Sequence, residues 1–506
     1  MPRPLLAVAG GVLYGAALPP LGLWPLGWIV VTPLCIACAR RGPARGAALG
    51  GLFGMTAAVA TSPWLPAMIG DYFEASAWAA FPLALLAWGI GGAIYHAGFG
   101  AWVGWATARG PVSPFAVGAV WWVLEWARAN APVPNPWALL GYTQLGWLPA
   151  AQLADVVGAY GVGALLVVAG AALAGAREPR LLGRAPRRSG IAVAAAVVLA
   201  LVYGATRGTT SWPAADTVRV GVAQGAVPRA HRYAPEHLET SLDAHLALTR
   251  KAARQDATLV VWPELALDFY PERTPRLLGR LRDALRDLGV DVLAGGLGIH
   301  ADPGAALAAT PGGTGERPTN SVFLIDAEGL RARYDKVRLM AFSEARPVAF
   351  LPIGSDRLAP GAAPRPIVHG GVALGIAVCS EAMHPGFVRD TVRAGAQVLV
   401  APTVDSWFGA RGGARQQLEA TAMRAIETRR FVLRPTATGV TAVIDPAGRI
   451  VAEAPVEEPA VLVVEVAPRD ESTLYTRWGD APVWLAAAFV ALDAGRRTLR
   501  RQADSA

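Results

Sequence analysis

Charge is scarce in this sequence. Asp, Glu, Lys and Arg make up 17% of its 506 residues, against about 25% in an ordinary soluble domain. Together with 53% hydrophobic residues, 17 tryptophans and a mean hydropathy of +0.35, this argues against a wholly soluble globular chain and points to the membrane. Cysteine is scarcer still: three residues cannot build a disulfide framework. The seven histidines show neither HxH nor HExxH spacing, so no metal site is expected. The net charge of +8 comes without a long Lys/Arg tract, and nucleic acid is not the expected partner. Cys35 and Cys38 form "CIAC" inside an apolar stretch; they read as small helix residues facing lipid or neighbours rather than as a redox pair.

What is present first is a series of apolar runs of spanning length. They fall near 4–20, 23–39, 46–66, 78–104, 112–128, 153–175 and 189–206, and one more lies near 481–496. The first lacks a clear cleavage signal and is followed at once by further runs, so it reads as a retained helix. Basic residues cluster at Arg3, at Arg40, Arg41 and Arg45, at Arg109, at Arg177 to Arg188, and at Arg496 to Arg501, while loops 67–77 and 129–152 hold almost none. If those clusters share the cytoplasmic side, an odd number of spans carries residues 210–480 to the other face. The expected organisation is a transmembrane region at 1–209, an extracytoplasmic domain at 210–470, and a terminal span with a cytoplasmic tail at 471–506.

The extracytoplasmic part changes character. Short β-rich runs recur at 218–224, 257–264, 290–298, 320–326, 372–379, 396–404, 430–438, 441–448 and 460–466, with helical patterns at 236–254, 274–289 and 413–429 between them. In the middle helix Leu277, Leu281, Leu285 and Leu288 make one stripe, Thr274 and Pro275 suit its start, and Gly289 its end. This alternation predicts an α/β fold with a largely buried sheet. Residues 301–319 read as a loop, and their glycines are no phosphate cradle because no GK[ST] follows.

Three residues of chemical interest sit at the ends of apolar runs. Glu264 closes "LVVWPE", Lys336 lies in "RYDKVRL", and Cys379 closes "ALGIAVC". Each has an ordinary reading: a helix cap, a surface lysine, a small core residue. Together they make a chemistry. A thiol near neutral pH needs a base, a carboxylate can take its proton, and a lysine can hold negative charge growing on an attacked carbonyl oxygen. His384 is a poorer partner for the cysteine, five residues on across a turn with no orienting Asn or Asp evident.

"WPELAL", "YDKVRLM" and "VCSEAMHPGFVRD", with gaps of 72 and 43 residues between Glu264, Lys336 and Cys379, resemble the Glu–Lys–Cys motifs of the nitrilase, or carbon–nitrogen hydrolase, superfamily. A domain of that kind behind seven spans and ahead of one more resembles the apolipoprotein N-acyltransferases. The segments "ADVVGAYGVGALL", "NPWALLGYTQ", "GVAQGAVP", "TNSVFLID", "DSWFG" and "AMRAIETRRFVLRPTATGVTAVIDPAGRI" extend that likeness in order. The sequence departs from it at "MAFSEARP", which keeps Glu344, and at Val404, Gln417 and Ala437. The resemblance implies a polytopic helical membrane domain with an extracytoplasmic nitrilase-like α-β-β-α sandwich, a monomer in the bacterial inner membrane. It implies an enzyme without cofactor that moves an acyl chain from a phospholipid to the N-terminal α-amine of S-diacylglyceryl-cysteine in apolipoproteins. Glu264 is then the general base, Lys336 the oxyanion stabiliser and Cys379 the nucleophile that carries a thioester. Glu344 and Glu381 take supporting roles, or are ordinary structural hydrogen-bonding groups. The alternatives are a membrane-tethered amidase and an N-acyltransferase with another amine acceptor. The segment 344–354 reads either as a lid at the membrane surface or as a solvent loop.

Overall fold

A computed structural model of the chain describes residues 1–179, 186–209, 217–227, 237–301, 316–346, 358–406, 408 and 412–505. Two compact units emerge, one of residues 1–210, 407–427 and 473–506, the other of residues 211–406 and 428–472.

The first unit is helical. Its longer helices are Arg3–Ala17, Gly42–Thr61, Ile94–Ala108, Pro114–Asn130, Ala154–Arg177, Pro186–Gly208 and Ala481–Ser505. Among the described residues, Ala77–Ala108, Ala154–Arg177 and Arg188–Gly208 are long and apolar enough to cross a membrane, and Gly42–Thr61 with Leu65–Phe73 makes a fourth if that bent pair is one span. Several expected runs are interrupted, and proline explains where. The run near 23–39 is a 3-10 turn at Trp24–Trp28 and a short helix at Thr32–Cys38, each with proline in its first turn. The run near 46–66 ends at Thr61, and the chain bends by 65° before Leu65–Phe73, again with proline at the start. Helix Gly42–Thr61 lies against Ile94–Ala108 through glycine: a Cβ on Gly46 would sit 2.2 Å from the Gly100 carbonyl oxygen, and one on Gly50 2.1 Å from that of His96. Such backbone contact is how helices pack when no hydrophobic effect drives them together. Cys35 and Cys38 are buried free thiols.

The second unit holds two six-stranded sheets. The strands are β1 Val218–Gln224, β2 Leu259–Val261, β3 Asp291–Ala301, β4 Glu316–Ile325, β5 Leu330–Asp335, β6 Ile367–His369, β7 Val372–Ile376, β8 Val398–Val400, β9 Val432–Arg434, β10 Ala442–Ile444, β11 Ile450–Glu453 and β12 Ala460–Val466. The orders are β12-β1-β2-β3-β4-β5 and β11-β10-β9-β8-β7-β6. β1, β2 and β3 run parallel, as do β7, β8 and β9, and antiparallel strands flank both trios. β2, β8 and β9 are wholly buried; β2 and β8 read as unbroken apolar runs, while β9 ends in the buried Arg434, which pairs with Asp405. Helices Leu238–Ala253 and Pro275–Leu288 cover the first sheet, with Leu277, Leu281 and Leu285 in its core and Leu288 packed at the edge. Thr274 stands at the N-cap position of the second helix, without a side-chain cap bond, and Gly289 closes the helix in the left-handed conformation.

The expected loop at 301–319 is shorter than the sequence suggests, because β3 runs to Ala301 and β4 begins at Glu316. Pairing with β3 through Ala301↔Glu316 holds this polar stretch extended.

Gly295 on β3 sits where the chain leaving β2 passes closest. A Cβ there would lie 2.5 Å from the Pro263 carbonyl oxygen and 2.7 Å from the Glu264 Cα, both backbone atoms that cannot swing aside. Gly295→Ala is expected to destabilise the protein by roughly 1–3 kcal/mol and to lower activity further by displacing Glu264. Thermal unfolding and acyl-transfer assays on the same preparation check this, and a variant with both values unchanged would contradict it.

Candidate active site

Parallel strands gather side chains beyond their carboxyl ends, and both sheets use that edge here. Glu264 lies three residues past β2 and Cys379 three past β7, while Lys336 directly follows β5. Cys379 N donates to Pro402 O at 2.9 Å, and the residue has φ 52°, in the left-handed region. A non-glycine residue held there costs on the order of 1–3 kcal/mol and marks a tightly determined turn. The 3-10 turn Cys379–Met383 follows.

The fold brings Glu264, Lys336, Glu344 and Cys379 together. Lys336 Nζ lies 2.8 Å from Glu344 Oε2 and 3.7 Å from Glu264 Oε1, and its side chain is 1% exposed. The Cys379 thiol is in hydrogen-bond contact with the Glu264 carboxylate. Asn320, which the sequence reading did not single out, joins both acids: its Nδ2 donates to Glu264 Oε1 at 2.8 Å and to Glu344 Oε1 at 2.9 Å. Its backbone oxygen accepts from Lys336 N at 2.8 Å. A neutral amide gives no sequence signal for such a role beyond its place in "TNSVFLID".

The two acids are driven apart electrostatically. Burial raises the pKa of Glu264, and the Glu344 charge adds to this against the pull of Lys336. For Glu344 burial also works upward, but the close ammonium, its hydrogen bond and the Met340 N–H at 2.7 Å hold the acid below its ordinary range. Burial disfavours the charge on Lys336, yet Glu344 and Glu264 outweigh it and keep the ammonium ionised well above its usual range. Neighbouring acids with separated affinities are suited to different tasks, one as a counter-ion and the other as a proton acceptor. Burial and the Glu264 charge push the Cys379 thiol up to about 12, with Lys336 working against them, although the residue keeps part of its surface open. The thiol therefore rests protonated and needs its base.

Glu381 stands apart from this group. Its buried carboxylate accepts from Val337 N at 2.7 Å, Arg338 N at 2.9 Å, Val378 N at 2.8 Å and the Tyr334 hydroxyl at 2.9 Å. It therefore fastens the cysteine turn to the chain on both sides of Lys336, an anchoring role. Burial raises this acid to about 7 while the amide donors work to keep it ionised. Tyr334 was likewise not singled out, since a strand tyrosine ordinarily reads as packing. Val404, Gln417 and Ala437 are all buried. Of the segment 344–354, residues from 347 on, including Phe350, lie outside the described residues.

A buried Glu–Lys–Cys group on the carboxyl edges of two sheets is the site of a carbon–nitrogen hydrolase, and the carbon–nitrogen hydrolase family model matches residues 219–474. The model of the apolipoprotein N-acyltransferase N-terminal domain matches residues 10–172. Full-length relatives agree: an apolipoprotein N-acyltransferase of Geobacter metallireducens is 31% identical, covering 98% of this chain and 96% of its own. One from Methylococcus capsulatus is 32% identical over 99% and 97%, and one from Azotobacter vinelandii 31% over 100% and 96%. The chain belongs to the apolipoprotein N-acyltransferase family and is an acyltransferase.

Glu344→Gln tests the division between the two acids. It removes the charge that raises Glu264 and leaves Lys336 more fully to Glu264; both changes lower the Glu264 pKa. The acid limb of Cys379 acylation, measured in single turnover against pH, is expected to move to lower pH, with a lower plateau from the weaker base. An unmoved limb would remove Glu264 from the role of base.

Proposed function

We propose that this enzyme takes an acyl chain from a phospholipid and places it on the N-terminal α-amine of S-diacylglyceryl-cysteine in apolipoproteins, through a thioester at Cys379. The observation that carries this reading is the thiol hydrogen-bonded to a carboxylate of raised pKa, with a permanently charged lysine alongside. Glu264 takes the Cys379 proton as the sulfur attacks the ester carbonyl. Lys336, joined by backbone N–H groups of the turn after Cys379, holds the oxyanion. The intermediate collapses, Glu264 returns the proton to the departing oxygen, and lysophospholipid leaves. The incoming amine then attacks the thioester, Glu264 takes its proton, and the acyl group passes to nitrogen while the thiol is restored. This is covalent ping-pong catalysis that needs no cofactor. Glu344 fixes Lys336, and Glu381 fixes the turn.

A site for two lipid-bearing substrates belongs at the membrane surface. Helices with outward apolar side chains, such as Trp78 (92% exposed) and Leu199 (69%), supply the anchor. We place the α/β unit on the extracytoplasmic side of the bacterial inner membrane, because the arginine clusters fall on alternate loops.

Incubated with phospholipid alone, the protein is expected to gain one acyl chain at Cys379, removable by neutral hydroxylamine and absent from Cys379→Ala. Lys336→Ala should slow adduct formation by roughly 100- to 1,000-fold, the usual loss of one oxyanion donor. Glu264→Gln should block both adduct formation and transfer to the amine. Mass spectrometry of the intact protein reads all of these. An adduct surviving Cys379→Ala would overturn the assignment, and one that water discharges as fast as an amine would favour the amidase. Separately, reporters fused near residues 182 and 310 should report cytoplasmic and extracytoplasmic positions; agreement between the two would refute the topology.

A further inference from the structure

The reaction as written leaves a buried hydroxyl beside the cysteine unused. Thr403 follows β8 and is 1% exposed. Its backbone is fully engaged, with its N–H donating to Pro435 O at 3.0 Å and its oxygen accepting from Ala437 N at 3.3 Å. The buried pair Asp405–Arg434, 3.0 Å apart, fixes the chain two residues on. The Cys379 N–H bond to Pro402 O, at 2.9 Å, holds the nucleophile against this same segment. Among the described residues, the Thr403 hydroxyl meets no partner at hydrogen-bond geometry although it is buried. Leaving such a group unpaired is unfavourable. It lies against the Cys379 sulfur, where it eases ionisation of the thiol.

We propose that the Thr403 hydroxyl donates to the Cys379 sulfur when the thiol passes its proton to Glu264, and so stabilises the attacking thiolate. The resting thiol is a weak acceptor, which leaves the hydroxyl under-used; the thiolate is a strong one. As the S–C bond forms and the ester C–O bond breaks, the sulfur loses its charge and the hydrogen bond weakens. When the amine displaces the sulfur, the charge and the bond return. The charged groups that also face the sulfur, Glu264, Glu344 and Lys336, set its baseline; Thr403 adds a neutral donor with no proton of its own to lose. This rests on Cys379 being the nucleophile.

The experiment uses the full-length protein in detergent micelles and the pH dependence of iodoacetamide alkylation, with the labelled peptide identified by mass spectrometry. Thr403→Val keeps the shape and removes the hydroxyl; alkylation of Cys379 at pH 8 is expected to slow roughly tenfold, with the profile displaced about one pH unit upward. Thr403→Ser should restore the wild-type profile to within about threefold. Thr403→Ala carries the same reading should the valine variant fail to fold. A Thr403→Val protein with the wild-type profile, or a Thr403→Ser protein that behaves like the valine variant, would overturn the proposal. Wild-type protein that labels elsewhere than Cys379 would sink the nucleophile itself, and the two failures are told apart by the mapped peptide.

Discussion

Lys336 is an ammonium taken almost entirely out of water, and an unpaired charge there would be lost to deprotonation. Two carboxylates prevent this, at 2.8 and 3.7 Å, and the rest of the site follows from that arrangement. The nearer acid, Glu344, is paired with the lysine, which holds its affinity for protons below the ordinary range. The farther one, Glu264, is raised by burial, is less tightly held by the lysine and feels its neighbour's charge, so it keeps an affinity for protons. Asn320 bridges both, fixing the distances on which the division depends. A charge balance thus separates a proton carrier from an electrostatic fixture made of the same chemical group.

The geometry that places these groups is a property of two sheets. Glu264 and Lys336 come from the first and Cys379 from the second, so the site exists only while the two edges stay in register. Glu381 supplies a direct tie, binding amides beside Lys336 while lying in the cysteine turn itself. The same need for rigidity accounts for Cys379 at positive φ: a strained residue persists when its neighbours over-determine it. Gly295 meets the requirement from the other side, by omitting a side chain where the Glu264 backbone must pass.

Helix packing in the first unit answers a different constraint. In a bilayer apolar side chains gain nothing by leaving lipid, so glycine seams between Gly42–Thr61 and Ile94–Ala108 bring backbones together. The prolines that break the runs near 23–39 and 46–66 come at the starts of new helices, where a missing N–H costs least. Hydropathy counts apolar residues and is blind to those bends.

Much of this protein was legible in the sequence because its physics is local. Parallel strands buried on both faces are largely apolar, so β2, β7 and β8 announced themselves, and β9 did so through Val432 and Leu433 although it ends in the buried Arg434. The strands that escaped notice, β5, β6 and β11, are all sheet edges, and an edge such as "LRARYD" need not bury both faces. Glu264, Lys336 and Cys379 stood out as reactive residue types at the ends of apolar runs. Asn320, Tyr334 and Thr403 carry no charge; the first two lie inside "TNSVFLID" and "YDKVRLM", but nothing in those segments marked what these residues would do. Composition and hydrophobic period alone determined the membrane class, the α/β alternation and the reactive candidates. Which acid lies against the thiol, which against the ammonium and which ties the cysteine turn was decided by tertiary structure alone, because that choice depends on distances between groups up to 117 residues apart in the chain, from Glu264 to Glu381, and on the dryness of the place where they meet.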